Sequence, residues 1–259
     1  SAKDPLVTFI SDGSTRWQGG ASLIASHLQA IGCKTLCHLS SPKVVKTRYV
    51  DPAFTQKLFS VATGYIPDET MTIPRQSEPI NHLLIADYGH CKKPAAWDHD
   101  AVGFVSLMVQ ANSLNWGYNV LTKYKQADYV VCDEAELRLA YRSQYGNLST
   151  LMANLVSDMS LQVLALTMGH KGAILVDFRD KENCATHRFP IYNRKVVDRM
   201  GAGDAFLAAS APLAAMGAPI EIIGLVGSIA AGLHVEQLGN PPLAVDKLIA
   251  RLEELDATH

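Results

Sequence analysis

An α/β fold with a mostly parallel central sheet and helices on both faces is what this sequence predicts, on three observations. Three apolar runs, Leu83–Asp87, Tyr129–Asp133 and Val163–Thr167, are too continuous to leave one face in water, so each reads as a strand buried on both sides. Segments with helical spacing alternate with them, as crossovers between parallel strands require. Each run ends in a polar residue or at a glycine turn, and in such sheets ligands bind beyond the carboxyl ends of the strands. Asp87, Asp133 and Gly169 all fall at those ends.

The remaining elements follow in order. Gly19-Gly20 lead into a helix ending at Ile31, in which Leu23, Ile24, Leu28 and Ile31 recur at helical spacing before Gly32 stops it. Leu36 to Leu39 reads as a short strand. Val44 to Val50 and Lys57 to Val61, β-branched and alternating, read as a solvent-facing hairpin or lid. The charges of Trp97-Asp98-His99-Asp100 start a surface helix. A helix over Glu134 to Tyr141 follows the second buried strand, and Ala173 to Val176 pairs as a hairpin beyond Gly172. Ala205 to Leu233 is almost free of charge, but Pro212, Glu221 and the Gly217-Ala218-Pro219 turn interrupt it. Each half is shorter than the ~20 residues a bilayer demands, so two buried helices joined by a turn are expected. Val245, Leu248, Ile249 and Leu252 mark an amphipathic C-terminal helix.

With 259 residues, 48% of them apolar, the chain suits a single domain over residues 1–259 with a large core. The net charge of −2 without any basic run points away from nucleic acid and from anionic membranes as partners. Five cysteines, Cys33, Cys37, Cys91, Cys132 and Cys184, are odd in number and sit mostly in apolar contexts, as reduced thiols do. Cys33 and Cys37 lack a second pair at zinc spacing. The first residues show no basic stretch ahead of an apolar core, the mark of a secretory signal. A cytoplasmic location is the expectation.

The chemistry concentrates in Val197-Asp198-Arg199-Met200-Gly201-Ala202-Gly203-Asp204-Ala205-Phe206. The glycines allow a tight turn with several N–H groups aimed at one spot, and the helix behind adds its positive dipole end. Asp204 falls in the first helical turn, beside the place where an anion's charge would gather. An anion cradle plus an adjacent carboxylate suits transfer of a phosphoryl group to a hydroxyl: one part stabilises charge, the other accepts the proton. The plain alternative is a glycine-rich helix start with an acidic first-turn residue. A dinucleotide fingerprint fails because Phe206 occupies the third glycine position, which disfavours a NAD-dependent oxidoreductase. No phosphate-binding Gly-x-x-x-x-Gly-Lys-Ser/Thr occurs.

This run resembles the signature of the ribokinase-like (PfkB-type) carbohydrate kinases, Asp-Thr-Thr-Gly-Ala-Gly-Asp, with Arg199 and Met200 in place of the threonines. Three more segments resemble the same family, in the same order along the chain. Ala127-Asp128 to Asp133-Glu134-Ala135-Glu136 is similar to the family's Ala-Asp…Asn-Glu-x-Glu element, Asp133 standing at the Asn position. Thr167-Met168-Gly169-His170-Lys171-Gly172 is similar to the turn that lies along the nucleotide, and Gly19-Gly20 to the double glycine at the sugar site. The resemblance implies a ribokinase-like fold with a small β lid and ATP and Mg2+ as cofactors. It further implies a sugar or sugar phosphate as acceptor. In that scheme Asp204 accepts the proton, and Gly201, Ala202 and Gly203 form the charge-stabilising turn. Asp133, Glu136, Thr167, Gly169, Lys171 and Gly172 lie on the nucleotide side, with Glu136 near the metal and the helix over Gly227 to Ala231 walling the adenine groove. Gly19, Gly20, Lys46, Arg48 and Asp87 lie on the substrate side.

Lys46-Thr47-Arg48, followed by Gln56 and Leu58, resembles the Lys-x-Arg…Gln element of heptose-7-phosphate kinases, and paired cations suit a sugar's phosphate. That resemblance also allows a homodimer through the lid and a nucleotidyltransferase partner domain. The tract from Gln110 to Asn119, with Asn112, Asn115 and Asn119, departs from the Asp-Pro-Lys-like turn of related kinases. His90, His99 and His234 read as packing or surface residues. Measured against the family, residues 5–10 look like a lid strand; a buried strand with its Gly-Asp and a sugar-gripping Asp is lacking before Ser1, and a further strand and helix near Ser41. A longer polypeptide is therefore expected, or else a cut-down relative that binds nucleotide or sugar without turnover, as a regulatory or scaffold module.

Overall fold

The computed structural model describes residues 13–39, 44–51, 56–64, 71, 73 and 76–257. The lid strand expected at residues 5–10 and the junction near Ser41 lie outside the described residues. Eight strands are described: β1 (Val45–Asp51), β2 (Gln56–Thr63), β3 (Leu83–Asp87), β4 (Val105–Val109), β5 (Tyr129–Asp133), β6 (Val163–Thr167), β7 (Ala173–Asp177) and β8 (Ala185–Phe189). The helices are α1 (Ala21–Ala30), α2 (Glu134–Ala140), α3 (Leu148–Met159), α4 (Ala202–Ala215), α5 (Ile220–Val235) and α6 (Val245–Asp256).

Among the described residues β3 to β8 form one sheet in chain order. β3 through β6 are parallel, while β7 and β8 return antiparallel. β1 and β2 make a separate antiparallel pair, the hairpin that alternation and β-branching predicted.

The continuous apolar runs are buried on both faces, and alternation along β5 shows how. Val130 and Cys132 join the core beneath α2 and α3, with Leu137, Leu151, Leu155 and Met159. Tyr129 and Val131 join the opposite core, with Ile24 of α1, Phe206 and Ala208 of α4 and Ile223 of α5. β4 is buried at all five positions, which no solvated strand could be. At the start of β5, the Asp128 carboxylate accepts from the Val105 amide (2.8 Å) and the Gln162 side chain (2.7 Å), tying three neighbouring strands at one point. α4 is half alanine and packs broadly on α5. Its buried Ser210 is satisfied, donating to the Phe206 carbonyl (2.7 Å) and accepting from the Tyr129 hydroxyl (2.8 Å).

Some expectations need correction. Leu36 to Leu39 carries no strand: Leu36 is 70% exposed, and no described strand ladders with the segment. Pro212 does not divide the apolar stretch, since α4 runs through it to Ala215 and the break comes at Met216 to Pro219. Packing on α5 outweighs the one backbone hydrogen bond a proline removes. The surface helix after Trp97 is a single tight turn over His99–Ala101, with the Asp100 amide held by the Asp98 carboxylate at 3.2 Å. Among the described residues no helix is long and apolar enough to cross a membrane.

Candidate active site

Parallel strands leave their carboxyl ends along one edge, and a large cleft opens there. Gly19, Gly20, Lys46, Arg48, Asp87, Asp133, Glu136, Thr167 and residues Gly201 to Asp204 all line it. Gly169, Lys171 and Gly172 do not; they form the turn beyond β6 that leads into β7. In that turn Gly172 has φ +82°, and a side chain there would collide with the Phe189 carbonyl. The expected adenine wall, Gly227 to Ala231 on α5, is mostly buried, Gly227 lying against the Phe206 ring.

The start of α4 is built for charge. Gly201 is its N-cap at φ 78° and ψ 0°, a left-handed conformation, and a Cβ there would lie 2.6 Å from His234 Nε2. Conformation and space both demand glycine. No side chain caps α4, so the amides of Ala202, Gly203 and Asp204 have no acceptor within the helix. His234 Nε2 donates to the Met200 carbonyl at 2.8 Å, which holds the peptide entering the turn. His234 also meets His27 edge-on, with ring centroids 5.4 Å apart. His27 is fully buried, and burial and the neighbouring His234 lower its pKa to about 4.

Asp204 is 7% exposed, and burial raises its pKa to about 6. A hydrogen bond of 2.7 Å from the Tyr88 hydroxyl to Oδ1 works against that rise. A carboxylate poised just below neutrality is ionised at pH 7 yet basic enough to take a proton.

Asp133 and Glu136 sit across the cleft at the junction of β5 and α2. They form a reciprocal capping box: the Asp133 side chain accepts from the Glu136 amide (2.7 Å), and Glu136 Oε2 accepts from the Asp133 amide (2.8 Å). Glu136 Oε1 also accepts from the Ala111 amide at 3.1 Å. Glu136 is therefore buried rather than lying on a solvated helix face. Burial, and then the neighbouring Asp133 charge, push its carboxyl well above the usual carboxylate range. Thr167 donates to the Cys132 carbonyl at 3.4 Å. Among the described residues no cluster of three or more His, Cys, Asp or Glu side chains could hold a metal.

On the opposite wall, Gly20 caps α1 at φ 58°, with the Tyr88 ring packed beside it. Lys46 and Arg48, two apart on β1, both reach the cleft. Lys46 Nζ donates to Ser113 Oγ at 3.4 Å. Lost hydration lowers the Arg48 pKa, and the Asp198 carboxylate counters that shift, which places the lid within electrostatic reach of the α4 turn. Asp87 is heavily engaged: its carboxylate accepts from Tyr124 (2.7 Å), the Gly89 amide (2.8 Å) and Lys123 (2.6 Å).

Sequence reasoning missed Tyr88 and the part played by the asparagines. Tyr88 had a readable signal, as the residue directly after a strand-end acid. The asparagines did not, because their targets are backbone carbonyls of a segment some 25 residues earlier.

Comparison with known proteins agrees with this architecture. The chain is 34% identical over 90 residues to the bifunctional protein HldE of Granulibacter bethesdensis, a match covering 34% of this chain and 19% of that protein. It is 30% identical over 134 residues to the bifunctional protein HldE of Koribacter versatilis, covering 51% of this chain and 26% of that one. The matched region thus spans about a quarter or less of those curated relatives. In structure, the chain resembles the Methanocaldococcus jannaschii nucleoside kinase, an archaeal member of the ribokinase family. The TM-score is 0.54 at 17% identity, over 82% of this chain and 68% of that one. That likeness is one of fold, and the fold is ribokinase-like. The family model for pfkB family carbohydrate kinases matches residues 109–242, from the end of β4 to beyond α5, and the chain belongs to that family.

Proposed function

We propose that this chain transfers the γ-phosphoryl group of ATP to a hydroxyl of a sugar or sugar phosphate. The observation that carries the reading is the start of α4: three uncapped amides beside a buried carboxylate whose pKa burial lifts to about 6. The amides of Ala202, Gly203 and Asp204 hold the charge on the transferring group, and Asp204 takes the acceptor hydroxyl's proton. Asp133, Thr167, Gly169, Lys171 and Gly172 serve the nucleotide side, and Gly19, Gly20 and Asp87 the acceptor side. Magnesium, when bound, would supply positive charge to offset that of the phosphates. The residues would suit an ion held chiefly by those phosphates, with Glu136 as the carboxylate that would serve it. The raised Glu136 carboxyl, buried beside the Asp133 charge, marks a place short of positive charge, and the described residues supply no full ligand set.

The acceptor we favour is a phosphorylated sugar, because Lys46 and Arg48 present two cations from one edge of the lid. The HldE relatives support a heptose phosphate within that class. Their description as bifunctional supports a nucleotidyltransferase partner domain. A homodimer through the lid belongs to the same reading, since Val45, Tyr49, Leu58, Phe59 and Val61 are each about 40% exposed on the two-stranded sheet. The test is ADP release across a panel of sugars and sugar phosphates, with thermal unfolding in parallel. MgATP at a hundred times its Kd should add about 2.7 kcal/mol of stability. No ADP with any acceptor, or stabilisation by NAD but not by ATP, refutes the kinase.

A further inference from the structure

Tyr88 is the first residue beyond β3, and an unusual amount of buried polar structure is committed to its place. Its carbonyl accepts from two side-chain amides, Asn112 Nδ2 at 3.1 Å and Asn115 Nδ2 at 2.8 Å. Asn119 Nδ2 donates to the preceding carbonyl, that of Asp87, at 3.0 Å, and to that of Gln110 at 3.1 Å. The asparagines also brace one another, since the Asn112 amide donates to Asn115 Oδ1 at 2.8 Å. Asn115 and Asn119 are buried, which is tolerable only because their amides are bonded. The loop's apolar residues point the other way: Trp116 and Tyr118 are 59% and 92% exposed. A loop that buries its asparagines and exposes its aromatics is shaped by what the asparagines hold.

What they hold is a phenol aimed at the base. The Tyr88 hydroxyl donates to Asp204 Oδ1 at 2.7 Å, while its ring is fixed beside Gly20. Among the described residues no other side chain bonds the Asp204 carboxylate. A carboxylate turns about its last torsion with little resistance, so a single well-placed donor decides which oxygen is left open. We propose that Tyr88 is a positioning residue for phosphoryl transfer: clamped by Asn112 and Asn115, its hydroxyl holds Oδ1 of Asp204 so that Oδ2 faces the acceptor hydroxyl. This inference rests on the kinase reading. The same bond stabilises the ionised carboxylate, in opposition to burial. Of the elements packed on α4, α1 brings His27, α5 brings His234 and β5 ends in Asp133, with Glu136 just behind. Glu136 and Tyr88 are the groups that feel the charge of Asp204.

The test is Tyr88→Phe, which keeps the ring and removes the donor. With MgATP and the best acceptor, kcat should fall about tenfold, with KM for both substrates within about twofold. The acid limb of the kcat profile should move up by about one pH unit, because the carboxylate loses a bond to its charged form. An NMR titration of the Asp204 carboxyl carbon reads the same rise without turnover, so it tests the bond even if the wild-type chain phosphorylates nothing and the kinase reading falls. An unchanged kcat and pH profile in an active enzyme overturns the proposal, as does a rise in kcat, which would make Tyr88 an obstruction to the base. Should Tyr88→Phe fail to fold, Asn112→Ala carries the test. A lower kcat at constant KM supports the clamp, and wild-type turnover overturns it.

Discussion

The start of α4 and the lid strand β1 face each other across one cleft and are built on opposite principles. At α4 the carboxylate is buried and the groups around it are held: Gly201 by its left-handed backbone, Met200 by His234, Asp204 by Tyr88. On β1 five of seven residues are exposed, and its ladder partner is β2 alone among the described strands. Burial at α4 shifts pKa values and excludes water, as proton transfer and charge stabilisation need. On β1, Lys46 is half-buried against Ser113 and Arg48 has lost part of its hydration, and on the proposed function the two cations attract the acceptor's phosphate. On the proposed function, this contrast puts catalysis at the start of α4 and acceptor recognition on β1.

The largest effect expected, and the one most able to break this division, is at Asp204. Asp204→Asn should lower turnover by at least ~10²-fold with MgATP affinity nearly unchanged, since loss of a general base typically costs ~10²–10⁴. Steady-state kinetics beside nucleotide titration checks both halves, and a mutant keeping more than half of wild-type turnover ends the assignment.

A second consequence concerns stability. His27 has a folded pKa of about 4 against 6.5 for the free side chain. The unfolded chain therefore takes the proton first, so stability is lost as pH falls below 6.5, and the loss saturates near 4, with an upper limit of about 3 kcal/mol. Asp204, raised by burial, pulls the other way, because its neutral form is the better buried. The His27 share is isolated by His27→Asn, whose side-chain oxygen can replace Nδ1 as acceptor for the Leu243 amide. Melting between pH 7 and pH 4 should show a shallower acid decline in the mutant. Parallel curves would mean that His27 does not control it.

The smallest effect is expected at the lid, where the comparison is sharpened. Replacing Lys46 and Arg48 together with Ala should raise KM for a phosphorylated acceptor about tenfold, each charge-assisted contact to a phosphate being worth ~1 kcal/mol or less at an exposed site. KM for ATP, kcat and melting temperature should stay close to wild type. A large loss of kcat would place the lid in the catalytic machinery.

The amino-acid sequence by itself determined the strands that are apolar throughout, the lid hairpin and the helix start at Gly201, because each is a local pattern whose cause lies within a few residues. Val105–Val109 had the same signal, a five-residue run ending at polar Gln110, and went unread. So did the helix over Leu148–Met159, whose Leu151, Met152, Leu155 and Met159 recur at helical spacing behind the Asn147 cap. Ala185–Phe189 had none: four of its five residues are exposed, and it is a strand only because β7 offers a ladder. Legibility in the site divides the same way. Asp204 could be read from its adjacent glycines and Glu136 from its resemblance to a family element, but their shifted pKa values could not, since burial is the work of distant elements. Tertiary structure alone decided that Tyr88 meets Asp204 across 116 positions of chain, and that Asn112 and Asn115 hold the Tyr88 backbone in place. A hydrogen bond between residues so far apart leaves no periodicity behind it; its geometry exists only once the sheet has brought the strand ends to one edge.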